Sequence, residues 1–178
     1  MRIGRLLLRL TVGSLFFGHG TQKLFGWFGG HGLDATANMF DSIGMRPGSR
    51  NAVAAGLAEA GGGAGIALGL ATPLSASVLT ATMLTAINRV HLKNGPWVTN
   101  GGYEYNLVMI GAVIALTEVG PGEPSLDAVL GKERSGPGWA LAALGLGAAG
   151  AVGAHLLAEA HPAEEPAATE PDQAAAAQ

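Results

Sequence analysis

Two apolar runs joined at a single proline decide the fold: residues 52–92 read AVAAGLAEAGGGAGIALGLATPLSASVLTATMLTAINRVHL. The runs, residues 52–71 and 74–92, are each close to the roughly 20 residues that a helix needs to cross a bilayer core. Their apolar character is continuous rather than alternating, which favours helices over strands. Because Pro73 is tolerated in the first turn of a helix, we predict two antiparallel helices joined by a tight turn at Thr72-Pro73.

Three further apolar runs flank this hairpin, at residues 6–25, 103–119 and 139–157. Charged residues make up only 13% of the chain and hydrophobic residues 48%, whereas about 25% charged residues is usual in soluble domains. A soluble helical bundle should also show polar stripes at helical spacing, and the last two runs show none. The first run lacks a small-residue cleavage site and is therefore read as a retained span rather than a signal peptide. The sequence predicts an all-α membrane protein with five spans.

The composition excludes several classes of function. The chain of 178 residues contains no cysteine, which excludes disulfides, iron–sulfur clusters, thiolate zinc sites and thiol redox cycles run by its own side chains. Its 10 Lys and Arg residues are scattered, so no nucleic-acid partner is expected. If the spans alternate, equal numbers of these basic residues lie on the two sides of the membrane. The positive-inside rule therefore does not fix the orientation.

Two short helices are predicted in the connections between spans. In the first connection, Asp34 is a candidate N-cap for a helix that ends at Gly44. In the second, Ser125 is a candidate N-cap for a helix that ends at Gly131. The apolar side chains of the first short helix are typical of a segment that lies in the membrane interface.

Polar residues within the spans collect at one end of the predicted bundle. Antiparallel alternation places the ends of the first and third spans beside the starts of the second and fourth, and these four ends carry ionisable and amide side chains. They are His19, Gln22 and Lys23; Glu59; Asn88, Arg89 and His91; and Tyr103, Glu104, Tyr105 and Asn106. The opposite ends have little to match this set: Thr11, Ser14, Thr72, Ser75, Thr117 and Glu118. Glu59 is expected about 10 Å inside the membrane, where a charge is costly unless it is paired with a cation such as Arg89 or Lys23.

This cluster predicts a polar cavity at one membrane face that binds a ligand with polar oxygens and an apolar body, such as a quinone. The candidate catalytic residues are Glu59 and Arg89 as the central pair, with His19, His91 and Glu104 moving protons. The candidate ligand-binding residues are Lys23, Gln22, Asn88, Tyr103, Tyr105 and Asn106. Three alternatives stay open: a structural ion-pair network, haem held by His19 and His91, and a metal site, for which the Glu-x-x-His pattern is absent.

Six segments, in order over about residues 5–131, carry a family resemblance. They are HGTQKLFG (19–26), AGLAEAGGG (55–63), GLATPL (69–74), VHLKNG (90–95), GGYEYN (101–106) and ALTEVGPGEPSLD (115–127). The chain thereby resembles the bacterial DoxX family. The resemblance implies a four-helix membrane bundle and a link to redox systems, since relatives include the small membrane subunit of thiosulfate:quinone oxidoreductase. It supplies no catalytic residues, and the fifth span and Pro96 depart from the family pattern.

The expected organisation is a DoxX-like four-helix membrane domain over residues 1–131, an additional transmembrane helix over residues 132–158 and a disordered acidic Ala/Glu/Pro tail over residues 159–178. The leading hypothesis is a multi-pass subunit of a quinone-linked redox system in the bacterial cell (inner) membrane. Its expected partners are the lipid bilayer, a soluble or membrane redox protein and a second copy in a homo-oligomer. The competing hypotheses are a non-catalytic assembly or anchor subunit and a carrier of small molecules or ions.

Overall fold

The structure is a computed structural model that describes residues 3–160 of the chain. These residues form seven α-helices and no strands. The helices are α1 (Ile3–Phe25), α2 (Gly32–Ser42), α3 (Gly48–Leu68), α4 (Thr72–Ala86), α5 (Glu104–Val119), α6 (Leu126–Val129) and α7 (Pro137–Glu159). A π-helical turn, Ile87–His91, continues α4, and short 3-10 turns lie at Trp27–Gly29, Leu92–Asn94 and Val98–Asn100. The all-α class is confirmed. The predicted tail lies outside the described residues from position 161 onward.

Each of the five predicted apolar runs coincides with a helix except for a few residues at the ends, such as residues 69–71 after α3. Within residues 3–160, only α7 is long and apolar enough by itself to cross a membrane. The other four helices differ from it in composition or in length. α1 carries Arg5, Arg9 and Lys23, and α3 is rich in Gly and Ala and contains Glu59. α4 and α5 have only 15 and 16 residues. Length and apolar composition of single helices therefore identify one span, and the five-span arrangement depends on the bundle as a whole.

α1 and α3 pack antiparallel and in close contact, because each contributes two glycines seven residues apart. A Cβ atom added at Gly13 would meet the carbonyl oxygen of Gly63, and one added at Gly20 would meet the carbonyl oxygen of Gly56. A spacing of seven residues is about two helical turns, so both glycines of a helix lie on the same face. Small residues on facing helices allow their backbones to approach closely, as in membrane helix pairs.

The hydrophobic core lies between α1, α3, α4, α5 and α7. Its fully buried large side chains come from four of these helices: Phe16, Ile66, Leu79, Val113 and Leu116. α7 runs parallel to α4 and contributes the buried Ala143, while its Gly147 lies against Thr80 of α4. A smaller cluster of Phe40, Met45, Ala52 and Ala158 joins α2 to the start of α3 and the end of α7.

Arg9 holds together the end of the bundle at which α1 begins. Its buried guanidinium donates hydrogen bonds to the carbonyl oxygens of Ala67, Pro121, Gly122 and Pro124. Ala67 belongs to α3 and the other three to the loop after α5, so one side chain joins three parts of the chain. The expectation that this end has little polar character to match the other end is therefore wrong. A buried charge is tolerated here because main-chain carbonyls surround it.

Asp127, at the same end, caps α4 from another part of the chain. Its buried carboxylate accepts hydrogen bonds from the N–H groups of Ala71 (2.8 Å) and Thr72 (3.0 Å) and from the Thr72 hydroxyl (2.9 Å). A carboxylate at a helix N-terminus satisfies otherwise unpaired N–H groups and interacts favourably with the helix dipole. The turn predicted at Thr72-Pro73 is thus fastened by a residue more than 50 positions later in the chain.

The two predicted helix caps in the connections have different outcomes. The hydroxyl of Ser125 accepts a hydrogen bond from the N–H of Ala128 at the start of α6, which confirms that cap. The Asp34 cap is wrong, because α2 begins at Gly32 and Asp34 already lies in its first turn. A different carboxylate, Asp41, accepts a hydrogen bond from the N–H of Gly48 at the start of α3.

The contact between α1 and α3 gives a matched pair of substitutions. Gly20→Ala places a methyl group against the backbone of α3 and should destabilise the protein by about 1–3 kcal/mol, which lowers the melting temperature by roughly 2–12 °C. Gly18→Ala, on the same helix, adds the same group where no atom of another helix lies within 4 Å and should not lower the melting temperature. Thermal unfolding of the detergent-purified variants measures both. Equal effects would contradict the close packing at Gly20.

Candidate functional site

A cavity of about 620 Å³ lies where the last turns of α1 and α4 meet the first turns of α3 and α5. We call it the Glu59 cavity after the acid in its wall. α2 covers one side and α7 another. Most of its lining is apolar and includes Phe16, Met39, Phe40, Ile43, Met83 and Ala154. Its volume lies in the range of roughly 300–1,000 Å³ found for pockets that bind small organic molecules.

The cavity brings together many of the side chains that the sequence pattern singled out. Those that line it are His19, Lys23, Glu59, Arg89, His91, Tyr105 and Asn106. Gln22, Asn88, Tyr103 and Glu104 do not belong to the lining. The antiparallel alternation therefore places the four helix ends as expected, but the side chains at each end point in different directions around the helix. The roles of the residues stay predictions.

Glu59 forms a salt bridge with Lys23, with 2.5 Å between Glu59 Oε2 and Lys23 Nζ. The side chain of Glu59 is only 7% exposed and that of Lys23 is 24% exposed. The glycine contact between α1 and α3 sets this pair, because it holds the two helix segments that carry the side chains close together. The expected central pair of Glu59 with Arg89 is not formed: the acid is paired with the other available cation.

Arg89 reaches the cavity from the π-helical turn after α4, and its guanidinium is poorly bonded. Its Nη2 donates to the carbonyl oxygen of His155 on α7 at 3.4 Å, a long contact. Its Nε is buried and has no hydrogen-bond partner within the part of the chain that the structure describes. π-helical turns occur frequently at functional sites, where they change the direction of a side chain. This one carries both Arg89 and His91.

The two histidines of the lining are each oriented by a local acceptor. Nδ1 of His91 lies 2.7 Å from the carbonyl oxygen of Gly101, and Nδ1 of His19 lies 3.0 Å from Oε1 of Gln22. Because these oxygens only accept hydrogen bonds, Nδ1 carries the proton in both rings, and Nε2 of the neutral ring is free to accept one. Gln22 is held in turn by the carbonyl oxygen of Phe28, so it positions a cavity residue without lining the cavity.

Glu104 stabilises a loop instead of facing the cavity. Its Oε1 accepts a hydrogen bond from the N–H of Val98 at 2.7 Å, which fastens the segment between the π-helical turn and α5. His91 and Asn94 fasten the same segment through the carbonyl oxygen of Gly101. The buried amide of Asn106 donates to the sulfur of Met83 at 3.3 Å. Of the residues at the start of α5, Tyr105 and Asn106 therefore face the cavity and Glu104 does not.

Comparison with known proteins identifies the family. A sequence model of the DoxX family matches residues 4–92. The chain belongs to the DoxX family. Putative oxidoreductase CatD of Bacillus subtilis (strain 168) is similar to it, with 35% identity over 115 residues that cover 65% of this chain and 79% of that protein. No solved structure gives a significant match.

The DoxX match contains the charged residues of the cavity but not its whole wall. Lys23, Glu59 and Arg89 lie within residues 4–92, whereas Tyr105 and Asn106 on α5 lie beyond them. α7 also lies beyond them and contributes Gly150 and Ala154 to the lining. Sequence reasoning did not assign α2 or α7 to the site. Their only signal is the spacing of small or apolar residues on one helix face, which core packing produces equally well.

This DoxX protein shows no cluster of metal-ligand type among residues 3–160: nowhere do three or more His, Asp or Glu side chains come close enough to hold a metal ion. His19 and His91 both line the cavity, and each has its Nδ1 directed to an oxygen of the protein. Family membership and the apolar helix α7 place the chain among membrane-associated proteins.

Glu59→Gln tests the salt bridge. The substitution leaves the Lys23 ammonium without its counter-charge, and we expect a loss of about 1–3 kcal/mol, less than for a fully buried pair because Lys23 is partly exposed. The double variant Lys23→Met with Glu59→Gln removes both charges and should recover most of the melting temperature. Glu118→Gln, at an exposed position on α5, is the control and should have little effect. Additive losses in the double variant would show that the pair does not interact.

Proposed function

We propose that this DoxX protein is a multi-pass membrane subunit of a redox system and binds a quinone-like ligand in the Glu59 cavity at one membrane face. The observation that carries the proposal is the cavity itself: an apolar chamber with a salt bridge, an incompletely bonded arginine and two oriented histidines in its wall. The similarity of the chain to a protein named as an oxidoreductase supports the redox assignment.

The five-span arrangement is supported by the outer surface of the bundle. Large apolar side chains on the outward faces of α1, α3, α5 and α7 are exposed: Leu7, Leu10, Leu15, Leu57, Leu107, Val108, Leu141, Leu146 and Val152. Soluble proteins rarely expose apolar surface of such extent, whereas lipid chains cover it. α1 and α7 have 23 residues each, about 34 Å of helix, and α3 has 21 residues, about 31 Å. These lengths match the bilayer core of roughly 30 Å.

The aromatic residues after α1 support a membrane interface at the cavity end. Phe25, Trp27 and Phe28 are exposed, and their rings contact one another. Trp27 has a polar ring edge, and tryptophan side chains are enriched where lipid headgroups meet the hydrocarbon core. A ligand dissolved in the membrane could therefore enter the cavity near headgroup level, beside α2.

The lining fits a ring with polar oxygens on an apolar body. Met39, Ile43 and Met83 supply apolar and sulfur contacts to an aromatic ring, and the Arg89 guanidinium, which makes one long hydrogen bond within the described residues, supplies a donor group for a ring oxygen. A bound quinone would supply the two-electron, two-proton chemistry of the site. In the chain itself, Nε2 of His91 and of His19 can hold and release a proton, and Lys23 keeps Glu59 neutralised in the wall.

Electron supply is assigned to a separate redox partner protein, because the chain has no cysteine with which to carry out thiol chemistry. The partner would act at the cavity end, where the ligand lies. The proposal includes a location in the bacterial cell membrane, which rests on the proposed multi-pass architecture. The proposal also includes a domain boundary at residue 131 and a homo-oligomer.

Membrane topology can be tested with single cysteines, since the natural chain has none. Thr99→Cys lies in the loop at the cavity end, and Ser135→Cys lies in the loop before α7, at the Arg9 end. In the five-span arrangement the two positions lie on opposite sides of the membrane. A membrane-impermeant thiol reagent should label one variant in intact cells and the other only after permeabilisation. If α7 alone crossed the membrane, both variants would be labelled under the same condition.

Quinone binding can be tested by filling the cavity. Ala58→Phe introduces a ring into the lining from α3 and should reduce the affinity for a naphthoquinone by at least about tenfold without a large loss of melting temperature. Ala115→Phe, at an exposed position on α5 outside the lining, is the matched control and should bind as the wild type does. Binding is measured with the detergent-purified protein by isothermal titration. Unchanged affinity in the Ala58 variant would place the ligand elsewhere.

A non-catalytic assembly subunit is the second candidate, favoured by one observation: the Lys23–Glu59 pair joins α1 to α3 and satisfies both charges without a ligand. If this is the role of the pair, Glu59→Gln lowers the melting temperature while quinone affinity stays unchanged. If the redox proposal holds, the purified wild-type protein retains or binds quinone, and cavity substitutions change that affinity.

A further inference from the structure

The charges in the wall of the Glu59 cavity do not balance. Among the residues that the structure describes, three formally charged side chains line it: Lys23, Glu59 and Arg89. Lys23 and Glu59 neutralise each other in their salt bridge. Arg89 remains as a net positive charge in a wall that is otherwise mostly apolar. A charge in such surroundings is costly unless a counter-charge or several hydrogen bonds offset it.

Residues 3–160 do not supply that counter-charge. Among the side chains that the structure describes, no carboxylate lies within salt-bridge distance of Arg89. Glu159 is bound to His155 Nε2 at 3.0 Å and lies outside the cavity lining. A guanidinium has five N–H donors, and for Arg89 the structure shows one long bond to a carbonyl oxygen and a buried Nε without a partner.

Arg9, an arginine with a structural role in the same fold, differs from Arg89 in its hydrogen bonding. The guanidinium of Arg9 donates to four carbonyl oxygens and does not line the Glu59 cavity. Arg89 lies on the wall of a cavity of about 620 Å³, and its guanidinium makes one long hydrogen bond, from Nη2 to the carbonyl oxygen of His155. The contrast between the two ends of the bundle indicates that Arg89 is kept for a ligand.

We propose that the cavity selects its ring ligand as an anion: an ionised hydroxyquinone, or a ring phenolate of the same chemistry, whose charged oxygen binds the Arg89 guanidinium. This inference rests on the proposed function and narrows its substrate class. Charge-assisted hydrogen bonds from arginine to an anionic oxygen are about twice as strong as bonds between neutral groups. The fork of N–H groups also fixes the plane of the ring, while Met39 and Met83 contact its apolar part.

The test compares two probes of similar size. The first is 2-hydroxy-1,4-naphthoquinone, which is ionised at neutral pH, and the second is its neutral counterpart 2-methoxy-1,4-naphthoquinone. We expect wild-type protein in detergent to bind the ionised probe at least about tenfold more tightly, measured by isothermal titration at neutral pH. Arg89→Gln should abolish this preference, and Arg89→Lys should retain part of it because the charge remains without the fork.

The control substitution is Lys93→Gln, which removes an exposed positive charge four residues from Arg89 and outside the lining. It should leave the preference of the wild type intact. A preference that Lys93→Gln also abolished would reflect surface charge and would overturn the inference. If Arg89→Gln does not fold, the ratio of the two probe affinities in the wild type and in Arg89→Lys still tests the anion preference.

The outcomes separate this inference from the proposed function. Equal affinity of the wild type for the two probes, or tighter binding of the neutral one, would overturn the anion preference while leaving quinone binding in place. Binding of neither probe would overturn both. A preference that survives Arg89→Gln with an unchanged melting temperature would also overturn the inference, since it would assign the charge recognition to another group.

Discussion

The close antiparallel contact between α1 and α3 is the constraint on which both ends of the molecule depend. Two glycines on each helix, Gly13 and Gly20 against Gly63 and Gly56, let the backbones approach as no larger residues could. At one end this approach brings Lys23 within bonding distance of Glu59. At the other end it brings Arg9 to the carbonyl oxygen of Ala67 in the last turns of α3. A wider helix pair would separate both sets of partners.

The two ends of the bundle differ in how completely their buried charges are hydrogen-bonded or paired. At the end where α1 begins, Arg9 and Asp127 are saturated by main-chain groups, and they tie the loop after α5 to the starts and ends of the neighbouring helices. At the cavity end, one ion pair is satisfied and one arginine is not. The hydrogen bonds at the first end stabilise its buried charges, whereas an arginine with one long hydrogen bond beside an apolar chamber is suited to bind a ligand. This asymmetry gives the bundle a structural end and a candidate functional end.

The sequence predicted the clustering of polar residues at one end of the bundle but not the contacts within it. The lengths of the apolar runs and the proline at position 73 indicated where helices begin and end, and alternation placed His19, Glu59, His91 and Tyr105 at the same end. The partner of Glu59 could not be predicted, because the sequence offers both Lys23 and Arg89 as nearby cations. In the structure, Arg89 lies in the π-helical turn and donates a hydrogen bond to His155 of α7. The role of Arg9 was missed because a basic residue near the start of an apolar run also resembles an ordinary flanking charge.

Local chemistry along the chain determined the all-α class, the helical hairpin at Pro73, the Ser125 cap and the absence of thiol chemistry, since each depends on residue type and short-range spacing. Only the tertiary structure decided that Asp127 caps α4, that Glu104 fastens a loop and that α2 and α7 complete the cavity wall. These contacts join residues far apart in the chain. Their formation depends on how the helices rotate and pack against one another, and no local spacing encodes that.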